Sequence, residues 1–208
     1  MVIIRDIDSS KDVVKPIEIE YIYGEEAKIF VVPELDLLAK LLVNEKDPTS
    51  DSSLALIWEM SADYLRSIGY TDDRFRTRRD IIFIKNKPTD SYFPECDVSG
   101  CCSLLLNKIE PPYAASIIDR KIVSAATAKK VNGIYELTVE TAPAYRGNGY
   151  AKRNVCALSD RLIREGERVR YLCSDNNIAS VSVALGSGFE KSGVKYEYTV
   201  RKGINHGI

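Results

Sequence analysis

The chain has 208 residues, 45% of them hydrophobic and 28% charged, with a formal net charge of −1. That length fits one large domain, or a domain with a smaller lobe, and leaves ample apolar material for a core. The near-zero charge excludes a general field drawing the protein to nucleic acid or anionic membrane. The opening residues turn charged at Arg5, which argues against a signal peptide. No apolar run approaches the roughly 20 residues of a membrane span. The expectation is a soluble cytoplasmic protein with no nucleic-acid or membrane partner.

Strand-like segments open the chain at Ile17–Tyr23 and Lys28–Pro33, separated by Gly24. Pro33 starts a helix with Leu35, Leu38, Leu41 and Leu42 on one face. A second helix is expected from about Ser53 to Ile68, with Ile57, Ser61, Tyr64, Leu65 and Ile68 on one side and Gly69 as its stop. The stretch Thr71–Asp80 holds four arginines diluted by three aspartates, which reads as a salt-bridged surface rather than a nucleic-acid site. Residues 81–85 form a strand. The loop-rich stretch after them marks a boundary, giving an N-terminal α/β lobe over 1–90 and a core over 91–208.

Five cysteines are present, with Cys96, Cys101 and Cys102 close together. There is no Cys-x-x-Cys, and the sole histidine is His206, so no metal site is expected. Cys-His nucleophilic catalysis lacks a plausible histidine for the same reason. The thiols read as small buried hydrophobes.

From Ala114 the pattern becomes regular. Strands at Ala114–Asp119 and Lys121–Ala128 meet at Asp119-Arg120, a hairpin signal. A third strand, Ile134–Thr141, alternates β-branched and aromatic residues. A glycine-containing turn follows, then a helix with Ala151, Val155, Leu158 and Leu162 on one face and Gly166 at its end. A strand at 169–174, a short helix at 177–185 and a last strand at 194–200 complete the chain. The fold class is a mixed α/β sheet in which strands 134–141 and 169–173 are parallel neighbours.

The glycine turn is the informative element. A strand passing through glycines into a helix presents free backbone N–H groups and a positive dipole end, a ready seat for phosphate. Lys152 stands where a dinucleotide fingerprint needs a third small residue, and no Gly-Lys-Ser/Thr exists. What remains is Arg-x-x-Gly-x-Ala, met by Arg146, Gly149 and Ala151, followed downstream by Asn177, Ser180, Gly188 and Phe189. In motif, spacing and element order, residues 112–200 resemble the GNAT acyltransferase superfamily, which binds acetyl-CoA. The variant around Glu140–Ala151 further resembles the branch of zwittermicin-type self-resistance acetyltransferases.

The resemblance implies a mostly antiparallel sheet with a splayed parallel strand pair, flanked by helices. It implies acetyl-CoA as co-substrate and a small-molecule amine as acceptor. The strand before the motif is expected to bulge and splay, with Val139 and Thr141 offering backbone groups to pantetheine. The N–H groups of Gly147, Asn148, Gly149, Tyr150 and Ala151 would hold the pyrophosphate, with Arg146 and Lys152 nearby and Asn177 beside the pantetheine arm. The amine would attack the thioester directly and needs a base, for which Glu140 and Glu136 are the candidates. The family often has a tyrosine general acid seven residues after the Asn, where this chain has Ala184. The N-terminal lobe, with Trp58 and Tyr64, is expected to shape the acceptor pocket. Two alternatives stand beside catalysis: an acyl-CoA-binding sensor or interaction module without turnover, and a CoA-independent interaction protein that keeps only the fold.

Overall fold

The computed structural model describes residues 1–4, 13–71, 75–89, 102–106 and 111–201. The chain divides into two compact units, Met1–Asp80 with Gly193–Ile208, and Ile81–Ser192. The division therefore differs from a single cut near residue 90 in two ways. It falls inside a strand, and the C-terminal strand belongs with the N-terminal unit. The cause is strand pairing, which no local pattern announces.

In the first unit, β1 (Val2–Ile4), β3 (Lys28–Val31), β2 (Val13–Ile22) and β10 (Glu190–Arg201) lie in that order, with the first half of β4 (Phe75–Lys85) next. β1 runs parallel to β3, while β2 is antiparallel to both β3 and β10. Two helices, α1 (Asp36–Leu42) and α2 (Asp51–Ser67), pack with this sheet. Alternation along β2 sends Ile17 and Ile19 into the core with Ile29, Tyr198, Leu38, Leu42, Ile57 and Leu65. Each such fully buried side chain stabilises the fold by about 1.5–3 kcal/mol. Ser50 starts α2 by accepting from the Ser53 N–H at 3.3 Å.

Some expected core positions lie elsewhere. Within α1, Leu38, Ala39 and Leu42 form the buried stripe, and Leu41, about 100° round the helix from Leu42 on the side away from Ala39, is 49% exposed. Ile68 falls beyond the last helical residue and is 48% exposed, and Tyr64 is half-buried. Trp58 stands edge-on to Tyr198, ring centroids 5.1 Å apart. The opposite sheet face is charged: Lys195 Nζ reaches Glu18 at 3.1 Å and Glu197 at 3.3 Å, and Lys15 Nζ reaches Glu197 at 2.6 Å. In β4, Arg76–Arg79 are exposed and Arg78 pairs with Asp80 at 2.8 Å, the surface the arginine-rich stretch implies.

In the second unit, the end of β4 is followed across the sheet by β9 (Val169–Ser174), β8 (Ile134–Thr141), β7 (Lys121–Val131), β6 (Tyr113–Ile118) and β5 (Cys102–Leu106). β5 to β8 form an antiparallel meander, and β8 and β9 are parallel. Asp119 and Arg120 both adopt positive φ, 49° and 61°, the geometry of a two-residue hairpin whose twist matches its strands. Small residues on β6 and β7 (Ala114, Ala126, Ala128) share a buried cluster with Val155, Leu158 and Leu162 of α3 (Tyr150–Arg164). α4 (Ile178–Gly186) packs by β9. This is a mixed, mostly antiparallel sheet with a parallel pair, flanked by helices.

The expected bulge in β8 is not there. β7 and β8 pair in unbroken register from Val131↔Ile134 to Ser124↔Thr141. The opening comes from the other side instead: the β8–β9 ladder ends at Leu137↔Tyr171, although β8 continues to Thr141 and β9 to Ser174.

Candidate active site

The turn between β8 and α3 is built by two left-handed residues, Gly147 at φ 80° and Gly149 at φ 78°. A side chain is strained at such φ, and a Cβ at either position would meet nothing within 4 Å. Backbone conformation, not crowding, therefore demands glycine, and the space beside it is open. Successive N–H groups turned by left-handed residues make an anion-binding concavity, and here it sits on the positive end of a 15-residue helix. The Arg146 Nε–H donates to the Thr141 carbonyl at 3.2 Å, and the Asn148 amide donates to the Tyr145 carbonyl at 3.1 Å, closing the loop on itself.

The helix is pinned by a buried polar clamp. Asn154, fully buried on α3, accepts from the Ser116 hydroxyl at 2.9 Å and donates to the Ser124 carbonyl at 3.0 Å. Ser124 in turn lies 2.8 Å from the Thr141 hydroxyl. β6, β7, β8 and the start of α3 are thus tied together one turn behind Gly149.

Where β8 and β9 part, a cavity of about 520 Å³ opens, well within the range of small-molecule pockets. Val139, Glu140 and Thr141 line its strand side, and Arg146, Gly147, Gly149, Tyr150, Ala151 and Lys152 its turn and helix side. Asn177 lines it from α4, where its side-chain oxygen caps the helix by accepting from the Ser180 N–H at 3.1 Å. The Lys152 stem runs beside Gly186, at whose position a Cβ would stand 3.4 Å from Lys152 Cδ. Ten of the twelve residues singled out in the sequence thus meet around one space.

Asn148 and Glu136 do not line it. Asn148 braces the turn. Glu136 accepts from Arg170 Nε at 2.9 Å, across the last paired stretch of the parallel strands, and a second guanidinium nitrogen also bonds it. Its Oε1 is engaged by a cation that is 6% exposed, whereas Glu140, four residues along on the same face, is exposed and lines the cavity.

Four lining residues went unassigned in the sequence: Tyr145, Ala179, Ser182 and Val183. Ser180, quoted there only as a small motif residue, also lines the cavity, and its Oγ lies 2.7 Å from Tyr171 Oη. The parallel register that brings Tyr171 to this point is a long-range property without a local signal. Ala184 is fully buried and presents no hydroxyl.

Gly188 explains the downstream Gly-Phe pair. Its N–H and that of Phe189 bond the Leu185 and Ala184 carbonyls at 3.1 Å, the left-handed end of α4, with φ 81°. A Cβ there would also lie 2.4 Å from the Thr89 methyl carbon. Phe189 is thereby turned into the core, with Lys85 Nζ 5.7 Å from its ring centre. Lys85 itself is buried against Asp160 of α3.

Among the described residues no group of three or more His, Cys, Asp or Glu side chains could hold a metal ion. Cys96, Cys101 and His206 lie outside them, while Cys156 and Cys173 are buried free thiols. Among the described residues no helix is long and apolar enough to cross a membrane.

The comparisons with known proteins agree with this geometry. The family model of the Acetyltransferase (GNAT) family matches residues 72–189, more than half of the chain. No curated protein matches the sequence significantly. A GCN5-related N-acetyltransferase-like protein from Streptococcus suis superposes with a TM-score of 0.51 at 17% identity, over 92% of this chain and 86% of that one. A protein of Drosophila superposes with a TM-score of 0.59 at 12% identity, over 88% of this chain and 73% of that one. At such identities the likeness is one of fold. The family match, laid over the glycine turn and the strand splay, makes the chain a member of the acetyltransferase (GNAT) family and an acyl-transferring enzyme.

Proposed function

We propose that the protein moves an acetyl group from acetyl-CoA to the amine of a small molecule, by direct attack within a ternary complex. One observation carries the reading: the β8–β9 opening and the Gly147–Gly149 anion seat face a single cavity. A long, thin thioester with a pyrophosphate at one end fits such a site. The N–H groups from Gly147 to Ala151 would take the pyrophosphate, with Arg146 and Lys152 adding charge. The edge of β8 beyond its last pairing with β9, at Val139 and Thr141, would bond the amides of the pantetheine arm, and the amide N–H groups of Asn177 would donate to it. Glu140 would accept the amine proton as the C–N bond forms. Glu136 is a weaker candidate than it is from sequence alone, because it is paired with Arg170 and does not line the cavity.

The buried Ala184 favours a second reading, an acyl-CoA-binding module without turnover. A thiol-release assay with acetyl-CoA and a panel of amines, including amino acids, polyamines and aminated antibiotics of the zwittermicin type, separates the two. Thiol release with any amine supports catalysis. Acetyl-CoA binding with no release across the panel supports the module. A part for Trp58 and Tyr64 in choosing the acceptor is a further proposal, tested by whether their substitution changes which amine is used.

A further inference from the structure

Tyr171 is the last β9 residue in register with β8, and its side chain is 3% exposed. Its ring packs on Phe189, centroids 6.0 Å apart, and its hydroxyl lies 2.7 Å from Ser180 Oγ. A buried tyrosine hydroxyl ordinarily finds a partner within the core. Here the partner stands in the first turn of α4 and lines the cavity. The Ser180 backbone N–H is already capped by Asn177, and the helix makes no claim on its hydroxyl. The pair therefore sits at the apex of the strand opening with one O–H to spare.

Resting on the acyl-CoA reading of the cavity, we propose that the Ser180 hydroxyl, held in place by Tyr171, donates a hydrogen bond to the thiolate sulfur as it departs. Ser180 is then a catalytic residue and Tyr171 its positioning residue. The amine nitrogen attacks the thioester carbon, the C–N bond forms, the C–S bond breaks, and the electron pair leaves on sulfur. The amine proton goes to Glu140. Negative charge on sulfur needs a donor fixed in advance, and an O–H aimed from a rigid helix start meets that need without reorganisation. The Tyr171 O–H donating to Ser180 Oγ strengthens the outgoing bond.

The proton is not handed over. A thiolate near pKa 8.5 is a weaker base than a phenolate or an alkoxide. Burial pushes the Tyr171 hydroxyl further up, against the opposing pull of the Ser180 bond. The pair stays neutral and acts as a donor, and the released thiolate takes its proton from solvent. Ala184 belongs to the same buried cluster as Tyr171 and Phe189, so a small residue on α4 is matched by a large hydroxyl-bearing ring on β9.

The test uses free CoA, which needs no acceptor. The ultraviolet absorbance of its thiolate is titrated on the wild type and on Ser180→Ala, Ser180→Thr and Tyr171→Phe, with calorimetry confirming saturation. The bound thiol should titrate about 1–2 pH units lower on the wild type than on Ser180→Ala. Ser180→Thr should follow the wild type, and Tyr171→Phe should fall between. Should Ser180→Ala fail to fold, Tyr171→Phe carries the comparison alone. Failure of CoA to bind the wild type overturns the acyl-CoA reading itself. Saturated binding with the same thiol titration in wild type and Ser180→Ala overturns the hydroxyl pair and leaves that reading standing. A shift in Ser180→Ala without one in Tyr171→Phe removes the role of Tyr171.

Discussion

Glu136 of β8 and Arg170 of β9 are register partners in the parallel pair and are joined by charge-assisted hydrogen bonds, one of them 2.9 Å long. They latch the two strands just before the strands separate. The two strand glutamates thus differ in setting: Glu136 is paired, and Glu140 lines the cavity. Glu136→Gln should weaken the fold by about 1–3 kcal/mol in urea, because the buried guanidinium loses a charged partner. Its effect on turnover in the folded protein should be small.

Glu140→Gln should do the opposite. Stability should barely change, and kcat at pH 7 should fall by about 10²–10⁴, the usual value of general-base help. Acetyl-CoA affinity should hold. Raising the pH should recover much of the loss, since the amine then arrives without its proton. Thiol release followed from pH 6 to 9 checks this, and an unchanged profile would assign proton removal to solvent.

Asn154→Leu strips the buried Ser116 hydroxyl and Ser124 carbonyl of their partner. A loss of about 1–3 kcal/mol is expected on urea unfolding. Because the clamp fixes the start of α3 against β6 and β7, the KM for acetyl-CoA should rise more than kcat falls.

The turns and strand ends of the second unit were legible because their signals are local. The two-residue hairpin at Asp119-Arg120 and the left-handed glycines state their own geometry. So most of the residues that line the cavity from β8, the turn and α3 could be named one by one. The Glu136–Arg170 and Tyr171–Ser180 pairs could not, since they depend on which strand lies beside which. The same limit hid the return of β10 to β2. On α1, Leu41 is expected inside with Leu38 and Leu42, but it lies off the stripe that Leu38, Ala39 and Leu42 bury and faces solvent.

The charged face of the first unit sets a pH dependence. Burial alone would raise the Glu197 carboxyl; the hydrogen bond from Lys15 and the charge of Lys195 outweigh it and hold the group below its usual value. A carboxyl depressed in the folded state contributes stability above its unfolded pKa and loses it as pH falls through the folded one. Burial would likewise lower Lys195, but Glu18 and Glu197 outweigh it and raise the amine, whose contribution is lost only at strongly alkaline pH. Glu197→Gln should therefore cost about 1–2 kcal/mol at pH 7. The gap to wild type should close as pH falls below about 4. Melting curves across pH 3–8 report it, and a gap that stays constant would contradict the assignment.

The acyl-CoA seat is tested most directly by calorimetry of acetyl-CoA with the wild type and Gly149→Glu. Gly149 holds φ 78° beside open space at the start of α3, so a glutamate there strains the turn and places like charge where the pyrophosphate should lie. The wild type should bind, and the folded variant should lose detectable binding, with circular dichroism confirming the fold. Equal dissociation constants for the two folded proteins would contradict the site.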